Sequence, residues 1–254
     1  MNVTFLGTGT SQGVPVIGCS CEVCHSVDFR DKRFRSSLHI QTETLSLVID
    51  TGPDFRQQML RENIQRVDAL LFTHAHRDHT AGLDDVRAYN FMQNMNMPVY
   101  GMKETLAQIK TDFSYIFGPD NYPGLPRLTL FPISNTPFTI NAVEIIPLPV
   151  LHLRLPVLGF RIGSFAYITD ANFIPDETLE KLHGIKYLVL NALQREPHIS
   201  HFNLEEALAM ARKINAQKTW FTHISHKLGT QRKLDSELPE DIRLAYDGLR
   251  ISIV

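Results

Sequence analysis

Residues 70–80 read LLFTHAHRDHT, so an apolar run is followed at once by four strong metal ligands. The apolar run predicts a buried strand. In the extended loop after it, His74 and His76 are two residues apart and can point to one side, while Asp78 and His79 face a second point nearby. The chain between these groups is too short and stiff for one ion to collect them all, so the spacing predicts two ions a few ångströms apart. Imidazole and carboxylate ligands suit Zn, Mn or Fe.

A histidine-rich loop can also be merely polar, with no bound ion. Two observations favour the metal interpretation. The ligands are dense, and they stand at the end of a strand, where binding sites form in open α/β sheets. We therefore interpret residues 74–79 as a metal-binding loop.

The composition is that of an ordinary globular protein, with 254 residues of which 43% are hydrophobic and 20% are charged. This length permits one or two domains. The net charge of −2 and the lack of a long basic block give little support to general nucleic-acid binding. No apolar run reaches about 18 residues, so we expect no membrane span. The N-terminus lacks the features of a signal peptide, which predicts a cytoplasmic protein.

Three cysteines, Cys19, Cys21 and Cys24, lie within six residues in the pattern C-x-C-x-x-C. A disulfide framework would need an even and dispersed set. Three thiolates at this spacing can surround one ion, although tetrahedral zinc needs a fourth ligand. Three free thiols in a buried turn are the alternative, and their close spacing in a reducing compartment favours a metal.

Further candidate residues follow other predicted strands. Asp50 ends a strand at a point where its carboxylate could either hydrogen-bond the metal loop or cap a turn. His152, Asp170 and His223 also stand at the ends of apolar, β-rich segments. Out of context, a single histidine such as His152 is more often structural.

Over the rest of the chain, the pattern predicts a series of strands and helices that occurs twice. The glycine-rich segment 7–13 is not followed by a helix, which indicates a close-packed turn near the site and not a phosphate-binding loop. Breaker residues in 118–127 predict a loop that could serve as a lid or as an oligomer contact. Residues 242–253 predict a closing hairpin. His201 lies on a loop just before a predicted helix N-cap.

The HAHRDH loop and the later strand-end residues resemble those of the metallo-β-lactamase fold superfamily of metallohydrolases. The resemblance implies an α/β fold, a four-layer αββα sandwich of two similar halves, here as a single domain over residues 1–254. It also implies seven ligands for two ions. The first ion takes His74, His76 and His152, the second takes Asp78, His79 and His223, and Asp170 bridges both.

The charges of such a site indicate its chemistry. Two divalent ions, the carboxylates of Asp78 and Asp170 and a bridging hydroxide would leave about +1 in a dry cleft, which favours a mono-anionic ester such as a phosphodiester. A β-lactam carboxylate could also be attracted. The leaving alkoxide needs a proton, and His201 is the best donor because it is a loop histidine not needed as a ligand. The resemblance also places a histidine there, so Asp78 and His201 are the catalytic candidates, with a surface or helix-capping role as the alternative for His201.

With His226, three residues after His223, the cysteine cluster becomes a Cys₃His zinc site. This combination resembles the PhnP-type phosphodiesterases, which hydrolyse cyclic ribose phosphates. The likeness covers GTGTSQGVPVIGCSCEVC, the HAHRDH loop through GLDDVR, HLRLPVLGFRIG, ITDAN, HFNLEEA and THISH, and so most of the chain. It implies a dinuclear phosphodiesterase with two Zn or Mn ions, one structural Zn and a metal-bridging hydroxide that attacks a small, cyclic phosphodiester.

Other members of the superfamily supply the alternatives. The tRNA 3′-end processing nucleases carry a long extra arm, and this chain has no comparable insertion, so we do not expect a nucleic-acid substrate. Hydrolysis of another ester class, a thioester or a lactone, is the second alternative. Thioester hydrolases of glyoxalase type have a helical C-terminal domain, whereas this tail has the character of strands. A homodimer is compatible with these features.

Overall fold

A computed structural model describes residues 1–118 and 122–253. Residues 119–121 belong to the predicted loop 118–127, so the possible role of that segment as a lid or oligomer contact lies outside the described residues. The described part of the chain forms two seven-stranded sheets. Each sheet carries helices on one face and packs its other face against the second sheet. The predicted α/β class and four-layer αββα sandwich are therefore confirmed.

The first sheet contains the N-terminal strands and the last strand. Its members are β1 (Asn2–Gly7), β2 (Ser37–Gln41), β3 (Ser46–Ile49), β4 (Ala69–Leu71), β5 (Met97–Gly101), β6 (Leu128–Pro132) and β14 (Arg250–Ser252). Their spatial order is β14-β1-β2-β3-β4-β5-β6. Strands β3 to β6 run parallel, and the other neighbours are antiparallel.

The second sheet follows in the chain. Its members are β7 (Phe138–Ile140), β8 (Val143–His152), β9 (Leu155–Ile162), β10 (Phe165–Ile168), β11 (Tyr187–Asn191), β12 (Lys218–Thr222) and β13 (Ile242–Leu244). Their spatial order is β13-β12-β11-β10-β9-β8-β7. Strands β10 to β13 run parallel, so the carboxyl ends of β10, β11 and β12 meet at one edge.

The helices cover the two outer faces of the sandwich. They are α1 (Glu22–His25), α2 (Phe55–Glu62), α3 (Arg77–Thr80), α4 (Arg87–Gln93), α5 (Lys103–Asp112), α6 (Asp176–Lys181), α7 (Leu204–Ile214) and α8 (Gln231–Glu237). Among the described residues, no helix has the length and apolar character needed to cross a membrane.

Alternation along the central strands divides the apolar side chains between the cores. Leu47 and Ile49 of β3 face the second sheet, whereas Val48 between them packs with α2, α4 and α5. In the second sheet, Val189 faces the first sheet while both of its neighbours pack under the helices. Both faces of these strands are buried, so they appear in the sequence as continuous apolar runs. This pattern explains why the strands before Asp50 and His74 were predictable.

The predicted closing hairpin over residues 242–253 is wrong. Strand β13 pairs in parallel with β12 in the second sheet, and β14 pairs antiparallel with β1 in the first. The connection between them crosses from one sheet to the other because Asp247 is anchored to the first sheet. Its carboxylate accepts hydrogen bonds from Thr8 Oγ1 at 2.8 Å and from the backbone N–H of Phe34 at 2.7 Å. Local turn chemistry at Asp247 and Gly248 was therefore outweighed by these contacts.

Helix α5 ends at Asp112 because Phe113 leaves helical geometry, with φ −115° and ψ 40°, and a short 3₁₀ turn follows.

Two glycines allow the loop after β3 to lie against the metal-loop segment. A Cβ on Gly82 would stand 2.1 Å from the carbonyl oxygen of Gly52, and a Cβ on Gly52 would stand 2.2 Å from that of Asp78. Both clashes are with backbone atoms, which cannot rotate away.

We predict that Gly82→Ala lowers the free energy of unfolding by about 1–3 kcal/mol, because the added methyl group overpacks this contact. Urea denaturation followed by circular dichroism measures the change. Gly118→Ala is the control, since the nearest atom to its added Cβ is 3.6 Å away. Equal stability of the two variants would contradict the importance of the contact.

Candidate active site

Three candidate residues adopt a left-handed backbone conformation within two residues of the ends of their strands. Asp50, Asp170 and His223 have φ angles of 63°, 54° and 55°. For residues other than glycine this conformation costs on the order of 1–3 kcal/mol, and such strain concentrates at functional sites. The side chains of Asp170 and His223 come into direct contact there. Local strain thus accompanies the assembly of the site.

The metal loop follows β4 and continues into α3. His74 and His79 are buried, with rings 4.4 Å apart, while the more exposed His76 stands 4.5 Å from His74. Asp78 Oδ2 lies 3.2 Å from His79 Nε2. The two predicted directions of the loop, one for His74 with His76 and one for Asp78 with His79, are present in the structure.

The carboxylate of Asp170 lies at the centre of the cluster. Its Oδ1 atom is 3.0 Å from His223 Nδ1 and 3.4 Å from His79 Nε2. Its Oδ2 atom is 3.4 Å from His201 Nε2 and 3.8 Å from His74 Nε2. One carboxylate therefore faces both halves of the predicted site, as a bridging ligand would.

The ligand atoms fall into two sets that could each hold an ion. One set is Asp78, His79, Asp170 and His223, and the other is His74, His76 and Asp170, with all ligand atoms within 4.8 Å of one another in each set. His152, predicted to join His74 and His76, instead meets these distances with Asp170 and His201. Its ring lies 5.2 Å from that of His76 and 6.0 Å from that of His74. The assignment of His152 to the first ion remains a prediction.

Asp50 fixes the ring orientation of two histidines. Its Oδ2 atom lies 2.7 Å from His79 Nδ1 and accepts a hydrogen bond from Thr73 Oγ1 at 2.8 Å. Because that hydroxyl donates its only hydrogen to Asp50, it acts as acceptor for His74 Nδ1 at 3.0 Å. Both rings then carry hydrogen on Nδ1 and present the Nε2 lone pair to the cluster, as metal ligands require. Asp50 thus hydrogen-bonds the loop that carries His74 and His79.

His152 is oriented in the same way. Its Nδ1 atom donates to the carbonyl oxygen of Ser200 at 2.8 Å, which leaves the Nε2 lone pair free. The Nε2 atoms of His74 and His79 are buried and have no hydrogen-bond partner among the described residues. Since buried polar atoms are nearly always paired, these orphaned lone pairs fit divalent metal ions.

Burial and the carboxylates set the charge of the cluster. Burial holds the pKa of His74 well below its ordinary value, and burial also lowers that of His76. Burial opposes charge on His79 as well, but Asp170, Asp78 and Asp50 outweigh it and raise the pKa of that imidazole. The apolar surroundings therefore disfavour positive charge on His74 and His76, which keeps these two imidazoles available as neutral ligands.

His223 depends on two residues that sequence reasoning did not identify. Ser36 Oγ lies 3.3 Å from its Nδ1 atom, and Thr10 Oγ1 lies 3.3 Å from its Nε2 atom. Thr10 belongs to the glycine-rich segment 7–13, whose backbone pairs with Ile224. This segment is a close-packed turn beside the site, as predicted. Nothing in the local pattern of Ser36 distinguishes it from other serines.

His201 is nine-tenths buried and precedes the predicted helix cap. Asn203 and Glu206 form a capping box at the start of α7, as the sequence indicates. His201 Nε2 faces Asp170, and its Nδ1 atom lies 3.2 Å from Nδ1 of His198, a further residue that no sequence motif marks. Burial lowers the pKa of His201 to about 4, while its hydrogen bond to Asp170 acts in the opposite direction.

The three cysteines surround His226 at a separate site. The Sγ atoms of Cys19, Cys21 and Cys24 lie 3.2, 3.4 and 3.6 Å from His226 Nδ1. The backbone N–H of Cys24 contributes most to lowering the pKa of Cys21 to about 6, which favours its thiolate. Three sulfurs and one imidazole nitrogen form the donor set of a tetrahedral zinc site. The loop after β12 thus carries both His223 and His226, one for each site.

Known proteins share this architecture. The family described as the β-lactamase superfamily domain matches residues 46–224. A solved structure of a new diphosphatase from the PhnP family is 39% identical, with a TM-score of 0.93 over 100% of this chain and 98% of that one. The octanoyltransferase of Porphyromonas gingivalis (strain ATCC BAA-308 / W83) is 39% identical over 100% of this chain, which covers 52% of that protein. The anti-Pycsar protein Apyc1 of Paenibacillus harenae is 24% identical over 88% of this chain and 89% of that protein.

The chain therefore belongs to the metallo-β-lactamase superfamily of hydrolases, and it is similar to the PhnP-family diphosphatase over its whole length. The family resemblance seen in the sequence is confirmed. Proteins of this fold typically bind divalent metal ions, and the His/Asp sets and the Cys₃His set provide donors for them. The chain spans about half the length of the octanoyltransferase, so the similarity to that protein does not establish its named activity here.

Proposed function

We propose that the protein is a metal-dependent phosphodiesterase that hydrolyses a small, cyclic phosphodiester. The observation that carries the proposal is the position of Asp170, whose two oxygens face both metal-ligand sets and His201. Two ions, Zn or Mn, would be held by seven residues. These are His74, His76, Asp78, His79, His152, Asp170 and His223.

Two divalent ions in this position supply Lewis-acid activation of water and of the phosphoryl oxygens. The chain contributes the geometry and the charge balance. Asp78 and Asp170 offset part of the metal charge, and the neutral imidazoles add none. The net positive charge that remains favours a mono-anionic phosphodiester.

His201 is the proposed proton donor to the leaving oxygen. Its Nε2 atom faces Asp170 at 3.4 Å, at the edge of the cluster where a phosphoryl group would lie. A phosphate anion beside this nitrogen adds negative charge, which raises the pKa of His201 from its low value toward the range suited to proton donation.

A diphosphate ester is the second candidate substrate. The solved PhnP-family structure with 39% identity is that of a diphosphatase. Cleavage of a phosphorus–oxygen bond is common to both reactions, and the same two-ion chemistry serves each of them. The two candidates differ in whether the leaving group is an alcohol or a phosphate.

A substrate panel tests the proposed reaction class. We expect the metal-loaded protein to hydrolyse bis-p-nitrophenyl phosphate and cyclic phosphodiesters, and to leave an octanoyl thioester and a β-lactam unchanged. A diphosphate ester assayed beside them, with the phosphate-containing products identified by ³¹P NMR, separates phosphodiester from diphosphate cleavage. Thioester hydrolysis without phosphodiester hydrolysis would overturn the proposal.

We predict that His201→Ala lowers turnover of a cyclic phosphodiester by roughly 10²–10⁴-fold, because the leaving alkoxide loses its proton donor. Metal content, measured by mass spectrometry of the purified protein, should stay normal, since His201 is not among the proposed ligands. His183→Ala, an exposed histidine after α6, is the matched control and should keep full turnover. Unchanged turnover of His201→Ala would refute the role.

We further propose that Cys19, Cys21, Cys24 and His226 hold a structural zinc ion. We predict about three metal ions per chain in the intact protein and one fewer in Cys21→Ser, because a tetrahedral site loses affinity when one thiolate is removed. Ser20→Ala is the control at the neighbouring position. A metal content of only two ions in the intact protein would contradict this site.

A further inference from the structure

Four large apolar side chains are exposed at the edge of the candidate active site. Leu153, Leu155, Phe173 and Ile199 are 52%, 40%, 53% and 74% exposed. We call this set the apolar rim. Single exposed apolar residues are ordinary on a protein surface, but a group of them beside a cleft marks a binding surface.

Hydrogen bonds tie the members of the apolar rim together. The N–H of Leu153 donates to Asn172 Oδ1 at 2.7 Å, and Asn172 Nδ2 donates to the carbonyl oxygen of Ile199 at 3.2 Å. The N–H of Leu151 donates to the carbonyl oxygen of Phe173 at 3.0 Å. The apolar rim is therefore held in place by three separate segments of the chain.

Leu153 is the first residue of the two-residue turn that joins β8 to β9, and such hairpin turns place this residue in the left-handed region. Its φ angle is 58°. Glycine or asparagine adopts this conformation more easily than leucine does. The hairpin therefore holds a half-exposed apolar side chain next to His152, at a position where a smaller residue would be less strained.

His152 connects three members of the apolar rim, Leu153, Leu155 and Ile199, to the candidate site. His152 precedes Leu153 and pairs across the hairpin with Leu155. Its imidazole donates to the carbonyl oxygen of Ser200, the residue after Ile199. Leu155 also lines a cavity of about 750 Å³ that reaches His74, His76 and Asp78. A molecule bound at the metal ligands would therefore meet the apolar rim at Leu155.

The charge beside the apolar rim suits an anion. Arg154 stands between Leu153 and Leu155 at the tip of the hairpin and is exposed. Within residues 1–118 and 122–253, its guanidinium takes part in none of the ion pairs that the structure shows. A cation next to exposed apolar surface fits an anionic phosphodiester whose ester group is apolar.

We propose that the apolar rim binds the organic ester group of the substrate, so that the protein prefers phosphodiesters with an aromatic or extended apolar group over those with a small one. The inference rests on the proposed phosphodiesterase function. The adjacency of His152 to Leu153 and Leu155 favours the substrate over a second protein chain as the occupant, because the surface is continuous with the catalytic cleft.

The test compares two diesters with the same charge and the same p-nitrophenolate leaving group, phenyl p-nitrophenyl phosphate and methyl p-nitrophenyl phosphate. We expect the phenyl ester to have the higher kcat/KM by about tenfold or more, since burying each additional CH₂-sized group contributes about fourfold. Leu153→Ser and Phe173→Ser should each lower this ratio severalfold. Leu60→Ser, which removes an equally exposed leucine on α2, is the control and should leave the ratio unchanged.

A binding measurement separates this inference from the proposed function. Diphenyl phosphate should bind the metal-loaded protein more tightly than dimethyl phosphate in isothermal titration calorimetry, and Leu153→Ser and Phe173→Ser should reduce the difference. This result supports binding of the ester group by the apolar rim even if neither p-nitrophenyl ester is hydrolysed. In that case only the proposed phosphodiesterase function fails. Unchanged kcat/KM and affinity ratios in both variants would overturn the inference. The inference would also be overturned if Leu153→Ser or Phe173→Ser changed the mass of the assembly in analytical ultracentrifugation and left the kcat/KM and affinity ratios unchanged. The apolar rim would then be a protein interface.

Discussion

The buried carboxylate of Asp50 is the interaction on which the arrangement of the metal loop depends. It has no exposed surface, and burial raises its pKa, yet it accepts hydrogen bonds from the backbone and hydroxyl of Thr73 and faces Nδ1 of His79. A buried carboxylate is costly unless such donors compensate it. These hydrogen bonds join the end of β3 to the loop after β4. They also fix the direction in which His74 and His79 present their free nitrogens.

The second sheet supplies the remaining residues of the candidate site. The loop carrying Thr73 is attached to β9 because the N–H of Leu158 donates to the carbonyl oxygen of Thr73 at 3.0 Å. Parallel pairing of β10 with β11 and of β11 with β12 places the ends of these strands at one edge. Asp170 and His223 meet there, and both come within reach of His79. The site therefore lies where the two halves of the sandwich are joined, and neither half contains it alone.

Much of this site was predictable because its residues follow apolar strands in a recognisable spacing. The motif from His74 to His79 and the strand ends at Asp170 and His223 carry a local signal. The supporting residues carry none. Ser36, Thr10 and Ser200 reach the histidines across long distances in the chain, and no sequence period marks a hydroxyl or a carbonyl oxygen that will orient an imidazole. The closing hairpin was wrong for a related reason, since distant anchors at Thr8 and Phe34 decided where the chain crossed between the sheets.

The fold class, the family and the residues that could bind metal can be predicted from the sequence alone, because apolar strands and ligand spacings are local properties of the chain. How those residues meet depends on the tertiary structure. It placed the ring of His152 between that of His76, at 5.2 Å, and that of His201, at 4.4 Å, and it gave each imidazole its orientation. It also gathered Leu153, Phe173 and Ile199 into one exposed surface. These are distances between separate segments, and they exist only once both sheets have packed together.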